Sequence, residues 1–178
     1  MPRLKGEAGE VSVAGQLIRL GFPSRHDVIL HAPDGGLTQV DHVALTARGL
    51  LAIETKNYAG SVFGGALERN WVQVLGSARN RFQNPLWQNA RHVAALAAHL
   101  RCDVEGLVVF AGTARFPERL PPGVTTLADL PAHLAGMGRP SPGAIEGLVW
   151  QEVCHLVGQG RALRQAHRAQ VRARHPQT

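Results

Sequence analysis

Cysteine and long hydrophobic runs are scarce in this sequence. The two cysteines of the 178-residue chain, Cys102 and Cys154, lie far apart and belong to no CxxC pair. Because zinc ribbons and disulfide-stapled secreted domains need closely spaced cysteines, both classes are excluded and a reducing compartment is expected. The longest apolar run, HVAALAAHL, is too short and too interrupted to cross a bilayer, and the basic N-terminus leads into no apolar segment. We therefore predict a soluble, cytoplasmic protein that does not bind membranes.

Lysine is also rare, although the chain is basic. Of its 19 basic residues only Lys5 and Lys56 are lysines, and with 13 acidic residues the net charge is +6. A basic surface attracts polyanions, of which nucleic acid is the commonest in a cell. Walker, dinucleotide-binding and Ser-His-Asp patterns are missing, and GSVFGG lacks the lysine of a P-loop. The charge balance therefore favours nucleic acid as the partner, and the missing motifs give no support to a nucleotide-binding or serine-hydrolase function.

Periodicity predicts an α/β protein with a mixed sheet flanked by helices. A first helix begins near Glu7, places Val11, Ala14, Leu17, Ile18 and Leu20 on one side, and stops at Gly21. Asn84 and Pro85 are the N-cap and first residue of a second helix, and a third is expected around AIEGLVWQEVCHLVG. The predicted strands are HDVILHA, TQVDHVALTA, LLAIETKNY, CDVEGLVVFAG and VTTL, and glycines at 60, 64 and 65 suggest short extra strands. With 44% apolar residues, one domain over residues 1–178 is expected.

Besides Arg48 at the predicted turn, three charged residues interrupt the otherwise apolar strands of TQVDHVALTARGLLAIETKNYAG: Asp41, Glu54 and Lys56. If Arg48 and Gly49 form a two-residue turn, Val43 faces Glu54 and Asp41 faces Lys56. Alternation then places Asp41, Glu54 and Lys56 on one face of the sheet. Two carboxylates in a half-buried site need a shared proton or a cation, and hard oxygen ligands suit Mg²⁺ or Mn²⁺.

A plainer interpretation of this trio is an ion-pair network on a wet sheet face, which antiparallel sheets often have. The apolar neighbours in IETK and QVDHVAL favour covered strands instead. In a chain whose usual cation is arginine, a lysine at position 56 also suits a site that needs a compact ammonium.

The spacing of Glu10, Asp41, the Glu54-Thr55-Lys56 triplet and Gln88 resembles the NERD (nuclease-related domain) family of the PD-(D/E)xK nuclease superfamily. The resemblance covers residues 6–112 and leaves residues 113–178 as a C-terminal extension with an arginine-rich tail. It implies a restriction-endonuclease-like core in which Asp41 and Glu54 bind the metal and Lys56 is the catalytic lysine. Glu10 would approach from the first helix as a further acidic ligand, and Gln88 from the helix that begins at Pro85. The proline of the superfamily name is replaced by Val40.

Other polar and aromatic residues are weaker candidates. Alternation sends His42 to the sheet face opposite Asp41, which favours a structural role. His92 and His99 are expected to be solvated or hydrogen-bonded bystanders near Gln88, and Trp71 and Trp87 to pack in the core rather than stack on bases. In the tail a helix would align four arginines in a stripe that could follow phosphates, although a solvated segment is the simpler interpretation for any one of them: Arg161, Arg164, Arg168 and Arg172.

Three functions remain open on these grounds. The first is a Mg²⁺- or Mn²⁺-dependent nuclease that hydrolyses phosphodiester bonds in DNA, with Asp41, Glu54, Lys56, Glu10 and Gln88 at its site. The second is a non-catalytic nucleic-acid-binding or assembly module that keeps the nuclease fold. The third is a metal-dependent enzyme acting on a smaller phosphate ester, for which nucleotides rather than DNA would compete.

Overall fold

The computed structural model of the protein describes residues 2–174, excluding the side chains of residues 2–5, 161, 162, 172 and 174. Its helices are α1 (Pro2–Arg19), α2 (Pro85–Leu100), α3 (Leu130–Met137), α4 (Pro142–Glu146) and α5 (Leu148–Arg174). Its strands are β1 (Ser24–His31), β2 (Leu37–Thr46), β3 (Gly49–Lys56), β4 (Gly60–Phe63), β5 (Asn70–Leu75), β6 (Ala78–Gln83), β7 (Val104–Phe110), β8 (Ala114–Arg115) and β9 (Val124–Thr126). Within residues 2–174 no helix is long and apolar enough to cross a membrane.

The larger sheet has five strands in the order β1-β2-β3-β7-β9. The first three strands pair antiparallel, whereas β7 runs parallel to β3 and β9 parallel to β7. The chain crosses from β3 to β7 through the second sheet and α2, as a parallel connection requires. Helix α2 begins as predicted: the Asn84 side chain accepts a hydrogen bond from the Leu86 amide, and Pro85 follows the cap.

The smaller sheet has the order β6-β5-β4-β8 and is built from the glycine-rich stretch after β3. It is also mixed, since β8 runs parallel to β4 while the other pairs are antiparallel. Trp71 of β5 is 1% exposed and stacks on Phe110 of β7 with ring centroids 6.0 Å apart. This contact fixes the small sheet against the end of the large one. The protein is thus mixed α/β, with two mixed sheets flanked by helices, as expected for a restriction-endonuclease-like core.

Both faces of the large sheet are covered by helices. On one face α2 and α5 supply Ala95, Leu96, Trp150, Val153 and Leu156 to a cluster that includes Ala52 of β3. On the other face α1 and α3 supply Val13, Leu17, Leu130, Leu134 and Met137 to a cluster that includes Ile53. The prediction for α1 is confirmed only in part: Leu17 is buried and Leu20 packs against the same cluster, but Val11 is 72% and Ile18 70% exposed, and Val13 is buried in their place.

The alternation of β2 side chains between the two faces of the sheet is interrupted near Asp41. Val43 and Val40 both pack in the α2/α5 cluster, although strict alternation would place them on opposite faces. On the neighbouring strand the ladder pairs His26 with His42 and Val28 with Val40, and the intervening Asp27 has a left-handed backbone with φ of 56°. A non-glycine residue in this region marks a local departure from regular strand geometry. Asp41 therefore lies where β1 and β2 are distorted.

Candidate active site

The β2–β3 hairpin brings the predicted trio together, but in a different register. The turn consists of Ala47 and Arg48 rather than Arg48 and Gly49, because Thr46 pairs with Gly49. The Thr46 hydroxyl fixes this turn: it accepts from the Arg48 amide at 3.1 Å and donates to the Gly49 carbonyl at 2.9 Å. Val43 therefore faces Ala52 and not Glu54. Continuing the ladder beyond its last pair, His42 with Ile53, sets Asp41 beside Glu54 and not beside Lys56.

Lys56 and Glu54 form a close ion pair at the end of β3. The Lys56 Nζ atom lies 2.6 Å from Glu54 Oε1 and donates a second hydrogen bond, of 2.8 Å, to Gln88 Oε1 on α2. The Glu54 side chain is 3% exposed and that of Lys56 17%. Burial alone would lower the pKa of Lys56, but the negative charges of Glu54 and Asp41 and the hydrogen bond to Glu54 raise it overall. Lys56 is therefore an ammonium at neutral pH, held between a carboxylate and an amide.

His92 is a member of this site that the sequence interpretation had set aside as a bystander. It is 4% exposed, and its Nε2 atom lies 3.0 Å from Glu54 Oε2. Its Nδ1 atom lies 2.8 Å from the Thr38 hydroxyl. Although burial would raise the pKa of Glu54, the hydrogen bond from His92 and the charge of Lys56 lower it overall. The spacing of His92 from Gln88 could have indicated this role. The two residues are four positions apart and therefore lie on one face of α2, and both contact the Glu54-Lys56 pair.

Asp41 is attached to the site through the backbone of Thr55. Its Oδ2 atom accepts a hydrogen bond of 2.8 Å from the Thr55 amide. Burial and the nearby charges of Glu54 and Glu10 raise the pKa of Asp41 well above its ordinary value, against the opposing effect of the Thr55 amide. With both carboxylates ionised, the Asp41-Glu54-Lys56 trio would carry a net negative charge, which is the condition under which a cation binds favourably.

Thr55 also connects the site to two histidines. His42 Nε2 lies 3.1 Å from the Thr55 hydroxyl, and His42 Nδ1 lies 2.7 Å from His26 Nδ1. His42 pairs with Ile53, whose side chain packs in the α1/α3 cluster, so it lies on the face opposite the Glu54-Lys56 pair as predicted. With one ring donating to the other, at least one of these histidines must be neutral at Nδ1. Burial lowers the pKa of His42 to about 3.

Glu10 approaches the sheet on α1, and a glycine sets its distance. A Cβ atom added at Gly9 would lie 2.9 Å from the Asn57 Cβ atom and 3.3 Å from Thr55 Cγ2, so only glycine lets α1 lie this close to the end of β3. Burial, followed by the charges of Asp27 and Glu54, raises the pKa of Glu10. Glu10 thus shares the electrostatic environment of Glu54 and lines a pocket with Asp27 and Gln39.

The donor set allows a test of the predicted metal. Within residues 2–174 no group of three or more His, Cys, Asp or Glu side chains is placed to hold an ion by itself. The Asp41-Glu54 pair nevertheless fits Mg²⁺ or Mn²⁺, because Mg²⁺ binds through one or two carboxylates and takes its other ligands from water and substrate phosphates. Each Glu54 oxygen accepts one hydrogen bond and keeps a second lone pair, so Glu54 could ligate a metal while it stays bonded to Lys56 and His92.

The remaining predicted residues have mixed outcomes. Arg164 forms an ion pair of 2.7 Å with Asp27, and Arg168 lines the same pocket, whereas the side chains of Arg161 and Arg172 lie outside the described residues. The expectation that Trp87 packs in the core is wrong: it is 45% exposed and its Nε1 atom donates to the Ala66 carbonyl at 3.2 Å. Nucleic-acid binding by the arginines stays a prediction.

Comparison with known proteins assigns the chain to a family. The chain is 35% identical over 99 residues to an uncharacterized protein of Bacillus anthracis, a match that covers 54% of this chain and 47% of that protein. The chain therefore spans about half the length of this curated relative. A crystal structure of a protein of unknown function, AF1548, superposes over 93% of this chain and 96% of that one, with a TM-score of 0.45 and 14% identity. The family model of the nuclease-related domain matches residues 5–111, and the chain belongs to this NERD family.

Proposed function

We propose that this protein is a Mg²⁺- or Mn²⁺-dependent nuclease that hydrolyses phosphodiester bonds in DNA. The observation that carries the proposal is the Lys56 ammonium, fixed between Glu54 and Gln88 and close to the Asp41 carboxylate at a largely buried strand end. Membership of a nuclease-related family and the net charge of +6 agree with a polyanionic substrate.

In this proposal Asp41 and Glu54 would hold the metal, and Glu10 would add negative charge from α1. When bound, a divalent metal stabilises the charge that develops on the phosphate and lowers the pKa of a bound water. Asp41 carries the main role in this proposal, because its Oδ2 atom is bonded to a backbone amide, whereas the two Glu54 oxygens are bonded to the Lys56 ammonium and to His92. The Thr55 amide orients it by binding Oδ2.

Lys56 supplies positive charge at the reacting phosphate. An ammonium has three donors, and those to Glu54 and Gln88 fix its position in two directions. The third meets a phosphate oxygen or the attacking water. Gln88 is a positioning residue, because its amide oxygen holds the ammonium from the α2 side. Orienting and stabilising groups of this kind contribute roughly 10²–10³-fold each to a rate.

The direct test is cleavage of plasmid and single-stranded DNA by the purified chain with Mg²⁺ or Mn²⁺. We expect Asp41→Ala and Lys56→Ala to lower the rate at least about 100-fold. Glu105→Ala is the matched control, since this exposed acid pairs with Arg48 away from the site and should leave the rate unchanged. Cleavage that survives both site substitutions would end the assignment.

One observation favours a second function, nucleic-acid binding without turnover. Both oxygens of Glu54 are bonded to protein cations or donors, as in a site that is structurally complete without a metal. This function predicts DNA binding whose affinity falls steeply with salt, together with no cleavage in either metal. Measurable turnover that depends on Lys56 would exclude it.

A further inference from the structure

A cavity of about 1160 Å³ opens beside Lys56, and the proposed chemistry leaves it unused. It lies between the end of β3, the segment after β7, and the β5–β6 hairpin. Its volume exceeds the roughly 300–1,000 Å³ of sites for drug-sized ligands. Of the twelve residues that line it, Lys56 is the one cation and none is acidic. Apart from Lys56 the walls are therefore neutral, and away from that residue they do not suit a phosphate backbone.

The β5–β6 hairpin forms one wall of the cavity, and one face of this hairpin extends from the hydrophobic core to the solvent. By alternation Trp71, Gln73 and Leu75 share one face of β5, and they pair with Phe82, Asn80 and Ala78 of β6. Trp71 and Phe82 pack in the aromatic cluster around Phe110. The next pair, Gln73 and Asn80, lines the cavity, as does Leu75, which is 50% exposed. The same face thus passes from buried aromatics to a pair of amides and then to an exposed leucine.

The amides on this wall are held in place. Gln73 is 8% exposed and its Nε2 atom donates to the Ala59 carbonyl at 2.8 Å. Its Oε1 atom accepts from Asn80 Nδ2 at 3.4 Å, so the exposed Asn80 is oriented by a buried neighbour. On the opposite wall the segment after β7 lies against Tyr58: a Cβ atom added at Gly112 would be 2.2 Å from the Tyr58 carbonyl oxygen. Both walls are therefore close-packed and preformed.

We propose that this cavity binds the unpaired bases of a DNA strand next to the phosphate at Lys56, and that the substrate is therefore single-stranded rather than intact duplex. The inference rests on the proposed function for the position of that phosphate. Amide side chains are partners for the hydrogen-bonding edges of bases, and apolar or aromatic side chains pack on base faces. In a duplex the Watson–Crick edges are paired and the faces stacked, and the outer surface presents phosphates that a neutral concave wall does not attract.

The test measures binding without turnover, so it does not depend on whether the protein cleaves DNA. The full chain in EDTA is titrated into three fluorescent ligands of about 20 nucleotides: oligothymidylate, an abasic strand with the same number of phosphates, and a hairpin duplex. Fluorescence anisotropy should show oligothymidylate binding about tenfold more tightly than either of the others. Equal affinity for all three, or tighter binding of the duplex, would overturn the proposal.

Two exposed asparagines of the same hairpin provide the matched variants. Asn80 lines the cavity, whereas Asn70 lies on the opposite face of the hairpin by alternation. Asn80→Ala should weaken oligothymidylate binding about five- to tenfold and leave the abasic strand unchanged, while Asn70→Ala changes neither. Identical behaviour of the two variants would contradict the assignment. Cleavage assays of the wild-type protein, run in parallel, test the nuclease proposal separately. Base-dependent binding without cleavage would overturn only the nuclease proposal. Cleavage with base-independent binding would overturn only the proposal that the cavity binds bases.

Discussion

Acid should destabilise this protein through His42, by an amount that the structure allows us to calculate. His42 is 1% exposed, and burial, together with the neighbouring His26, lowers its pKa from 6.5 to about 3. The unfolded chain takes up a proton on this ring below pH 6.5, whereas the folded chain does so only near pH 3. Its contribution to stability is thus complete above pH 6.5 and is lost as the pH falls towards 3. At about 1.4 kcal/mol for each pH unit, the loss reaches about 5 kcal/mol.

The measurement is the free energy of unfolding from urea titrations at several pH values between about 6 and 4. Replacing His42 with Gln removes the titrating group and keeps a polar side chain opposite Thr55. The pH slope of stability should then fall by about 1.4 kcal/mol per pH unit relative to wild type, which corresponds to one proton. His133→Gln, on the exposed surface of α3, controls for the number of histidines. Equal slopes for wild type and His42→Gln would refute the argument that His42 is neutral because it is buried.

Two further substitutions test the packing of the site. His92→Ala should lower the free energy of unfolding by about 3 kcal/mol, because it leaves a Glu54 oxygen buried without its donor. His92→Gln should recover part of this loss. In the same urea assay the control His99→Ala, at an exposed histidine, should change the free energy of unfolding by less than about 0.5 kcal/mol. A loss for His92→Ala no larger than for His99→Ala would show that the Glu54 contact is not stabilising. Gly112→Ala should lower the free energy of unfolding by about 1–3 kcal/mol, because the new Cβ atom would lie 2.2 Å from the Tyr58 carbonyl oxygen. The control Gly136→Ala in α3 has open space around the new Cβ atom and should be neutral or stabilising by up to about 1 kcal/mol. Thermal denaturation followed by circular dichroism compares the two variants, and equal midpoints would contradict the close packing at Gly112.

The convergence of Asp41, Glu54 and Lys56 could be predicted although the turn was placed wrongly. Moving the turn back by one residue slides each cross-strand partner by two positions, and a shift of two preserves the face of every side chain. The Arg48-Gly49 pair suggested the turn, and Gly49 does have a positive φ of 108°. The position of the turn is nevertheless set by the Thr46 hydroxyl, through its hydrogen bonds with the Arg48 amide and the Gly49 carbonyl. Competition between a left-handed glycine and a hydroxyl cap is not visible in hydrophobic periodicity.

The two errors on the helices have different physical reasons. Val11 and Ile18 lie on one flank of α1, Val13 and Leu17 on another, and helical spacing alone cannot tell which flank meets the sheet. On α2 His92 was expected to be a bystander, yet it is buried because it bonds to Glu54, and Asn89 is buried because it bonds to strand carbonyls. Polar residues that find partners in the core break the rule that burial follows hydrophobicity.

The change of face in β2 has a consequence for how an acid can occupy a covered sheet. In a regular strand, every second side chain points to the same helix layer, so an aspartate on that layer would displace a valine. At the distortion opposite Asp27, Val40 packs in the α2/α5 cluster, and alternation from Val43 assigns position 41 to the same face, so the strand gains one extra position there. Asp41 occupies this additional place while Val40 and Val43 stay in the α2/α5 cluster, so the strand accommodates a carboxylate without losing either valine from the core.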